Sequence, residues 1–367
     1  MIPLPHRLRI FRDIDWPMLL IALAICSLGV LQIYSATHGT LWHNAWMKQL
    51  LWLAGGLVVM WITTRVDYHH MLSNVPALYG VTLAFLALTL VVGSYVWGSK
   101  RWIPLLFGFR FQPSELGKLV IVLLVARYLS ELRSDRLGWR DLLRLGVAVG
   151  IPAGLVLAEP DVGTMLTYFS ILGAGVFLGG LRWQHLLAIV LVAAVLVPGS
   201  WFLLQDYQKA RLVTFLDPMR DPMGRGYQVI QSKIAVGAGG MWGKGVAQGS
   251  QTQLRFLPVA HTDFVISAYA EEHGFVGILV LFGLYFLLLM QIAQNAQRAP
   301  DRAGMAICLG VGALLLFHLL VNAGMAVGRM PVTGIPLPLM SYGGSSMMSV
   351  FAMLGLVNNV RLRRFGS

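Results

Sequence analysis

Charge is scarce in this chain, and acidic charge is scarcest. Only 12% of the 367 residues are Asp, Glu, Lys or Arg, with 16 acids against 28 bases and a formal net charge of +12. An ordinary soluble domain carries about a quarter of its residues charged, so that class is excluded. Cysteine is nearly absent. Cys26 and Cys308 each sit inside an apolar stretch, which excludes a disulfide framework. No internal repeat or low-complexity tract stands out. Gly243-Lys244-Gly245 hints at a phosphate loop, but Ala238 and Gly245 stand where that motif needs Gly and Ser/Thr, which excludes nucleotide binding of this type.

What is abundant is apolar sequence: 57% of residues are hydrophobic, with a mean hydropathy of +0.69. A bilayer core about 30 Å thick takes roughly 20 apolar residues per helical span. Ten windows qualify, near 16–36, 49–64, 75–97, 115–131, 142–158, 162–180, 185–204, 264–291, 304–326 and 342–360. The expected fold is an all-α polytopic membrane protein, one domain over 1–367, with a long loop at about 205–262 between the seventh and eighth spans. The basic leader (Arg7, Arg9, Arg12) lacks a small-residue cleavage site and reads as a signal anchor.

Lysine and arginine in short loops mark the cytoplasmic side. Arg127, Arg133, Arg136, Arg140 and Arg144, then Arg182, Arg298 and Arg302, then Arg361, Arg363 and Arg364 fall on the side of the N-terminus, so both termini are expected in the cytoplasm. The anomaly is the outer side. Lys209, Arg211, Arg220, Arg225, Lys233, Lys244 and Arg255 lie in the long loop, and Lys100, Arg101, Arg110 and Lys118 cluster around the fourth window. Headgroup attraction explains an exposed basic residue, but Lys118 lies inside an apolar run. Three residues earlier on the same helix face stands Glu115, so the two are expected to pair. Pro113 suits the first turn of that helix.

Five polar constellations fall on the outer side: Lys100–Trp102 with Gln112–Lys118; Glu159–Thr164; Tyr227–Lys233 with the glycine-rich 237–249; His261-Thr262-Asp263; and Asn322–Met325 running through Gly328–Pro331 to Ser341–Ser346. Asp263 sits where a span begins. An ionisable residue at membrane depth costs roughly 2.5–3.5 kcal/mol on insertion scales, which makes it a functional candidate. Asp263, Ser267 and Glu271 recur every four residues and are expected to face a cavity as one polar stripe. The spacing of His261, Asp263 and His273 matches no strong metal signature. Acids and bases gathered on the outer side suggest an enzyme acting on an anionic, lipid-borne substrate.

At these residues the chain resembles the SEDS family (shape, elongation, division and sporulation proteins), and within it the rod-shape branch. The likeness rests on KRWIPLLFGFRFQPSELGK (100–118), EPDVGT (159–164), GGMWGKG (239–245), HTDF (261–264) and PVTGIPLPLMSYGGSS (331–346). Two positions depart from the expected pattern: Glu159 replaces Gln, and Val259 replaces Glu. The resemblance implies ten transmembrane helices and a peptidoglycan glycosyltransferase that polymerises lipid II on the outer face of the cytoplasmic (inner) membrane, during cell-wall elongation and cell-shape maintenance. It implies Asp263 as the catalytic residue. Glu115, Lys118, Arg101, Asp161, Lys244, Arg255 and Ser341 are the candidates for substrate binding. No metal site and no cofactor is called for, and a divalent cation stays open. The implied partners are lipid II, a class B penicillin-binding protein transpeptidase and other elongation-complex membrane proteins, with no nucleic acid. A lipid II flippase and a non-catalytic scaffold remain as alternatives. Against the flippase stand the outer-face clustering and the missing repeats.

Overall fold

A segment that leaves water must satisfy its own backbone, so each apolar window is expected to close into a helix. The computed structural model describes residues 14–96, 99–104, 110–132, 136–200, 209, 213–224 and 226–364. Arg7, Arg9, Arg12, Arg133, Arg211 and Arg225, and the side chain of Lys100, lie outside the described residues. Helices lie over all ten windows. They are α1 (Trp16–Thr37), α2 (Ala45–Arg65), then the short α3 (Tyr68–Ser73), α4 (Val75–Val92), α5 (Pro113–Glu131), α6 (Trp139–Ala158), α7 (Val162–Leu178) and α8 (Trp183–Ser200). After the long loop, which contains α9 (Tyr227–Ala238) and α10 (Ser250–Gln253), come α11 (Val265–Gln297), α12 (Arg302–Ala326) and α13 (Gly344–Arg363).

By length and composition alone, α1, α2, α4, α6, α11 and α12 can cross a membrane, and α7 is a shorter apolar helix. The chain is a multi-pass membrane protein. α5 and α13 are less apolar for a physical reason: they run inside the bundle and carry buried Glu115 and Lys118, and buried Asn358 and Asn359.

Much of the small acidic complement is spent on helix starts. Asp15, Asp67, Asp161 and Asp301 each accept a backbone N–H in the first turn of α1, α3, α7 and α12. A carboxylate there meets unpaired amides and the positive end of the helix dipole. Asp15 does more. Wholly buried, it also accepts from Gln291 and Asn295 of α11 and pairs with Arg361 of α13 at 3.1 Å. The start of α1 and the ends of α11 and α13 therefore meet at one end of the bundle.

α13 packs most extensively on α2, α11 on α12 and α1, and α12 on α5 and α7. Small residues allow these approaches. A Cβ at Gly56 would stand 2.6 Å from the Phe351 ring, and one at Gly355 1.9 Å from the Thr63 hydroxyl. At the opposite end, the segment between α4 and α5 is not wholly irregular. β1 (Ser94–Val96), β2 (Ser99–Pro104) and β3 (Arg110–Phe111) form an antiparallel sheet, with Ser94 opposite Trp102 and Ile103 opposite Phe111. This small sheet holds Arg101 over the turn between α6 and α7.

Candidate active site

Asp263 lies two residues before α11, partly exposed, at the end of a turn that follows α10. The chain between α12 and α13, residues 327–343, is also without helix, yet Ile335, Leu337, Leu339, Met340 and Ser341 are buried. These two irregular segments hold each other. His261 O accepts from Tyr342 N at 2.9 Å, Thr262 O from the Ser341 hydroxyl at 2.6 Å, and Asp263 O from Asn322 Nδ2 at 3.1 Å. Three consecutive carbonyls are thereby fixed, two by the 327–343 segment and one by α12. The Asp263 carboxylate rests over Gly334, whose φ of +73° keeps the backbone low beneath it; a Cβ at that position would lie 3.8 Å from Oδ2. His261 packs against the rings of Trp42 and Tyr342, and burial holds its imidazole below the usual histidine range, so it is neutral at pH 7.

The second constellation is the expected ion pair. Lys118 Nζ donates to Glu115 Oε1 at 2.6 Å, and both side chains are almost completely buried. Gln112 Nε2 bridges Ser114 Oγ and Asp161 Oδ2, while Asp161 also caps α7 through Thr164. Arg101 donates to the carbonyls of Glu159 and Pro160 and lies 3.7 Å from Asp161. His318 of α12 links this group to the first one. It contacts Thr167 of α7 at 3.2 Å, and its Nδ1–H donates to Pro336 O at 3.1 Å. Asn322, one turn further along α12, reaches Ile335 O and Asp263 O.

The polar stripe does not face an open cavity as expected. Ser267 is paired with Ser232 of α9 at 2.6 Å. Glu271, wholly buried, accepts from Gln251 N, Thr252 N, Thr252 Oγ1, Ser250 Oγ and Lys244 Nζ. The glycine-rich part of the loop is clasped onto α11 through backbone as well: Lys244 N and Gly245 N donate to Glu271 O and Glu272 O, and Phe275 N and Val276 N to Gly240 O and Met241 O. α11 accommodates this by breaking at Gly274 (φ 65°, ψ −164°), a conformation open essentially to glycine alone.

The candidate cations are thus already engaged: Lys118 with Glu115, Arg101 with Asp161, Lys244 with Glu271, and exposed Arg255 with the carbonyl of Gly39. The Ser341 hydroxyl is consumed in holding Thr262 and accepting from Leu337 N at 2.9 Å. Among the described residues no three His, Cys, Asp or Glu side chains gather in a group able to hold a metal. Sequence reasoning missed Gln49, whose amide holds Ser341 O and Gly343 N, and His318. Their only signal was a lone polar residue in an apolar window, which a satisfied core residue gives equally.

The profile of the FtsW–RodA–SpoVE family, described as cell cycle proteins, matches residues 15–364. The chain belongs to that family, the SEDS proteins. The peptidoglycan glycosyltransferase MrdB of Escherichia coli is 38% identical over 361 residues, covering 96% of this chain and 94% of MrdB. The peptidoglycan glycosyltransferase RodA of Treponema pallidum is 32% identical, covering 98% of this chain and all of RodA. Among solved structures, a chain from a peptidoglycan synthase complex that coordinates polymerization and crosslinking superposes with a TM-score of 0.83 at 37% identity, covering 96% of this chain and 99% of that one. Thermus thermophilus RodA superposes at 0.72 with 30% identity, covering 96% and 98%.

Against that SEDS background, Glu159 is the position where the expected pattern has Gln. Its side chain is wholly buried, and neither carboxylate oxygen finds a hydrogen-bond partner among the described residues. Burial, reinforced by the Asp161 charge and opposed by Arg101, pushes its pKa from 4.5 up to about 8. The folded chain therefore keeps this proton over a range where the unfolded chain loses it. Its contribution to stability is fully present below the unfolded value and is lost as pH rises through about 8. Glu159→Gln removes the titration. The variant is expected to match the parent's melting temperature at pH 5 and exceed it at pH 8.5 in the same detergent; parallel melting curves across that range would contradict the assignment.

Proposed function

We propose that this protein is a peptidoglycan glycosyltransferase that polymerises lipid II into glycan strands on the outer face of the cytoplasmic membrane, as part of cell-wall elongation and shape maintenance. Family membership and the names of its relatives support the activity. The observation that carries the site is the fixing of Asp263, a carboxylate at the mouth of a span, through three consecutive backbone carbonyls. The topology that goes with this reading has ten spans, both termini in the cytoplasm, and the long loop, Asp263 and the α6–α7 turn outside.

Polymerisation joins the 4-hydroxyl of one disaccharide to the anomeric carbon of another, with undecaprenyl pyrophosphate leaving. Asp263 is the general base that takes the hydroxyl proton as the bond forms. An α-linked donor and a β-linked product require inversion, so a single displacement suffices and no covalent intermediate is needed. The departing pyrophosphate gathers negative charge, which fixed cations stabilise. Lys118, Arg101, Lys244 and Arg255 are assigned that task. For Lys118 and Arg101 it means trading part of a carboxylate interaction for phosphate oxygens. Asp161 and Ser341 act by positioning, since their polar atoms are committed to protein groups. A divalent cation, where present, would share the pyrophosphate charge.

The solved relative from a complex that coordinates polymerization and crosslinking supports a crosslinking partner for the glycan this chain makes. A class B penicillin-binding protein fits, within a complex of elongation membrane proteins, and we place its contact on outer-facing segments. We place any gating in the long loop at about 205–262, of which residues 240–252 are clasped onto α11.

Purified protein given lipid II in detergent should yield glycan polymer, with no compartment present. Asp263→Asn should abolish polymer while leaving the melting temperature near that of the parent; a folded variant with parental turnover would remove Asp263 from the chemistry. Lys118→Met strands a buried carboxylate and should cost about 3–5 kcal/mol of stability. Its folded fraction is expected to turn over slowly, and parental turnover per folded molecule would refute the pyrophosphate role. Adding the transpeptidase partner should raise glycan yield at saturating lipid II, and equal yields with complex formation verified would count against activation.

A further inference from the structure

Asn322 lies wholly buried on α12, a helix otherwise lined with Leu, Val, Gly and Ala around it. Its amide nitrogen donates both hydrogens to backbone carbonyls of two segments that have left the helical ladder: Ile335 O at 2.9 Å and Asp263 O at 3.1 Å. Its Oδ1 is buried and finds no donor among the described residues. An apolar residue of the same volume would avoid that unsatisfied oxygen, so packing alone does not account for an asparagine here. What asparagine supplies, and an apolar residue cannot, is two N–H groups from one planar head on a short stem.

The carbonyl it holds belongs to the residue just ahead of the α11 cap, Phe264, and so falls outside that helix's own ladder. Holding Asp263 O fixes the peptide plane from which the Asp263 side chain departs. Ser341 and Tyr342 fix the two preceding planes from the segment that Asn322 also grips at Ile335. One side chain therefore sets the carboxylate relative to Gly334 beneath it and to the 331–343 backbone together. His318, one turn earlier on the same face, holds the adjacent carbonyl of Pro336 and keeps that backbone from sliding along α12.

We propose that Asn322 is a positioning residue for the polymerisation reaction, holding the Asp263 backbone and the 331–343 segment in the one arrangement that aims the carboxylate at the acceptor hydroxyl. This rests on the reading of Asp263 as the base. Misplacing a reacting group by about 1 Å can cost on the order of 100-fold in rate. The effect should appear in kcat, because Asn322 is wholly buried and its amide is bonded to backbone carbonyls.

The test uses the full-length protein in detergent with lipid II, comparing Asn322→Ala, Asn322→Leu and Asn322→Gln with the parent. Asn322→Leu fills the space, so that a shared loss in the Ala and Leu variants is not a packing defect. In both, kcat is expected to fall on the order of 100-fold with KM within about threefold, and amide exchange at 261–264 to quicken. Asn322→Gln keeps both donors and should recover part of the rate. In an Asp263→Ala background, Asn322→Ala should lower residual activity no further. Parental kcat in a folded Asn322→Leu variant, beside an inactive Asp263→Ala, overturns the tether while leaving the base in place. A loss confined to KM, or a melting temperature that falls in step with kcat, overturns it as well. Parental turnover by Asp263→Ala removes the base, and this role with it.

Discussion

Inside an apolar surround, each carbonyl or amide that leaves a helix must be met by another group, at a cost of several kcal/mol if it is not. The architecture of the Asp263 end of the bundle follows from that requirement. Residues 327–343 pass between two helices without helix of their own, and four side chains from three helices meet them: Gln49 from α2, Tyr285 from α11, and His318 and Asn322 from α12. The partners are long-range in sequence, so this segment can exist only once the bundle has assembled. Asp263 is attached to that same segment. Its position is a property of the assembled fold, which is how a partly exposed turn residue comes to be held as firmly as a core one.

The same constraint separates what the sequence made legible from what it hid. Local signals read well. Apolar windows landed on helices, Pro113 sits in the first turn of α5, and the three-residue spacing of Glu115 and Lys118 became a buried ion pair at 2.6 Å. Signals that depend on which distant segment folds back did not. Asp263, Ser267 and Glu271 share a helical period, but period says nothing of what covers the face, and here it is the protein's own loop. Gln49 and His318 each look like an isolated polar residue in an apolar run, and Asn322, though part of a polar constellation, carried no sign of what it holds. Only their hydrogen bonds distinguish a residue that holds a functional segment from one that merely satisfies itself. The small sheet at 94–111 was hidden because strands of two to six residues leave too short an alternation to read against long helices.

The long loop illustrates how composition can mislead. Glycine-rich sequence suggests freedom, yet several of these glycines are contacts. A Cβ at Gly239 would stand 2.0 Å from Ala270 O, one at Gly243 2.2 Å from Glu272 O, and one at Gly274 2.3 Å from Gly243 N. The absence of side chains lets two backbones touch, and the touching converts the break in α11 into a joint closed by four backbone hydrogen bonds and the Glu271 carboxylate. Glycine serves here as a fastening, the opposite of a hinge.

That fastening bears on how a site for an anionic lipid keeps its cations. Lys118, Arg101 and Lys244 lie where unpaired positive charge would be costly to desolvate, and each is matched to an acid: Glu115, Asp161 and Glu271. Pairing tolerates the burial, but it also lowers the field each cation offers to a substrate. Under the proposed function, a pyrophosphate would bring more than one negative charge against the single charge of each carboxylate, which favours exchange to the substrate. The carboxylates differ in how far they can let go. Asp161 is bound by a helix start and Glu271 by a loop, whereas Glu115 has an oxygen, Oε2, with no partner among the described residues. Of the three pairs, Glu115–Lys118 is therefore the one whose carboxylate keeps an oxygen uncommitted among the described residues, which, under the proposed function, favours Lys118 as the cation that passes from carboxylate to leaving group.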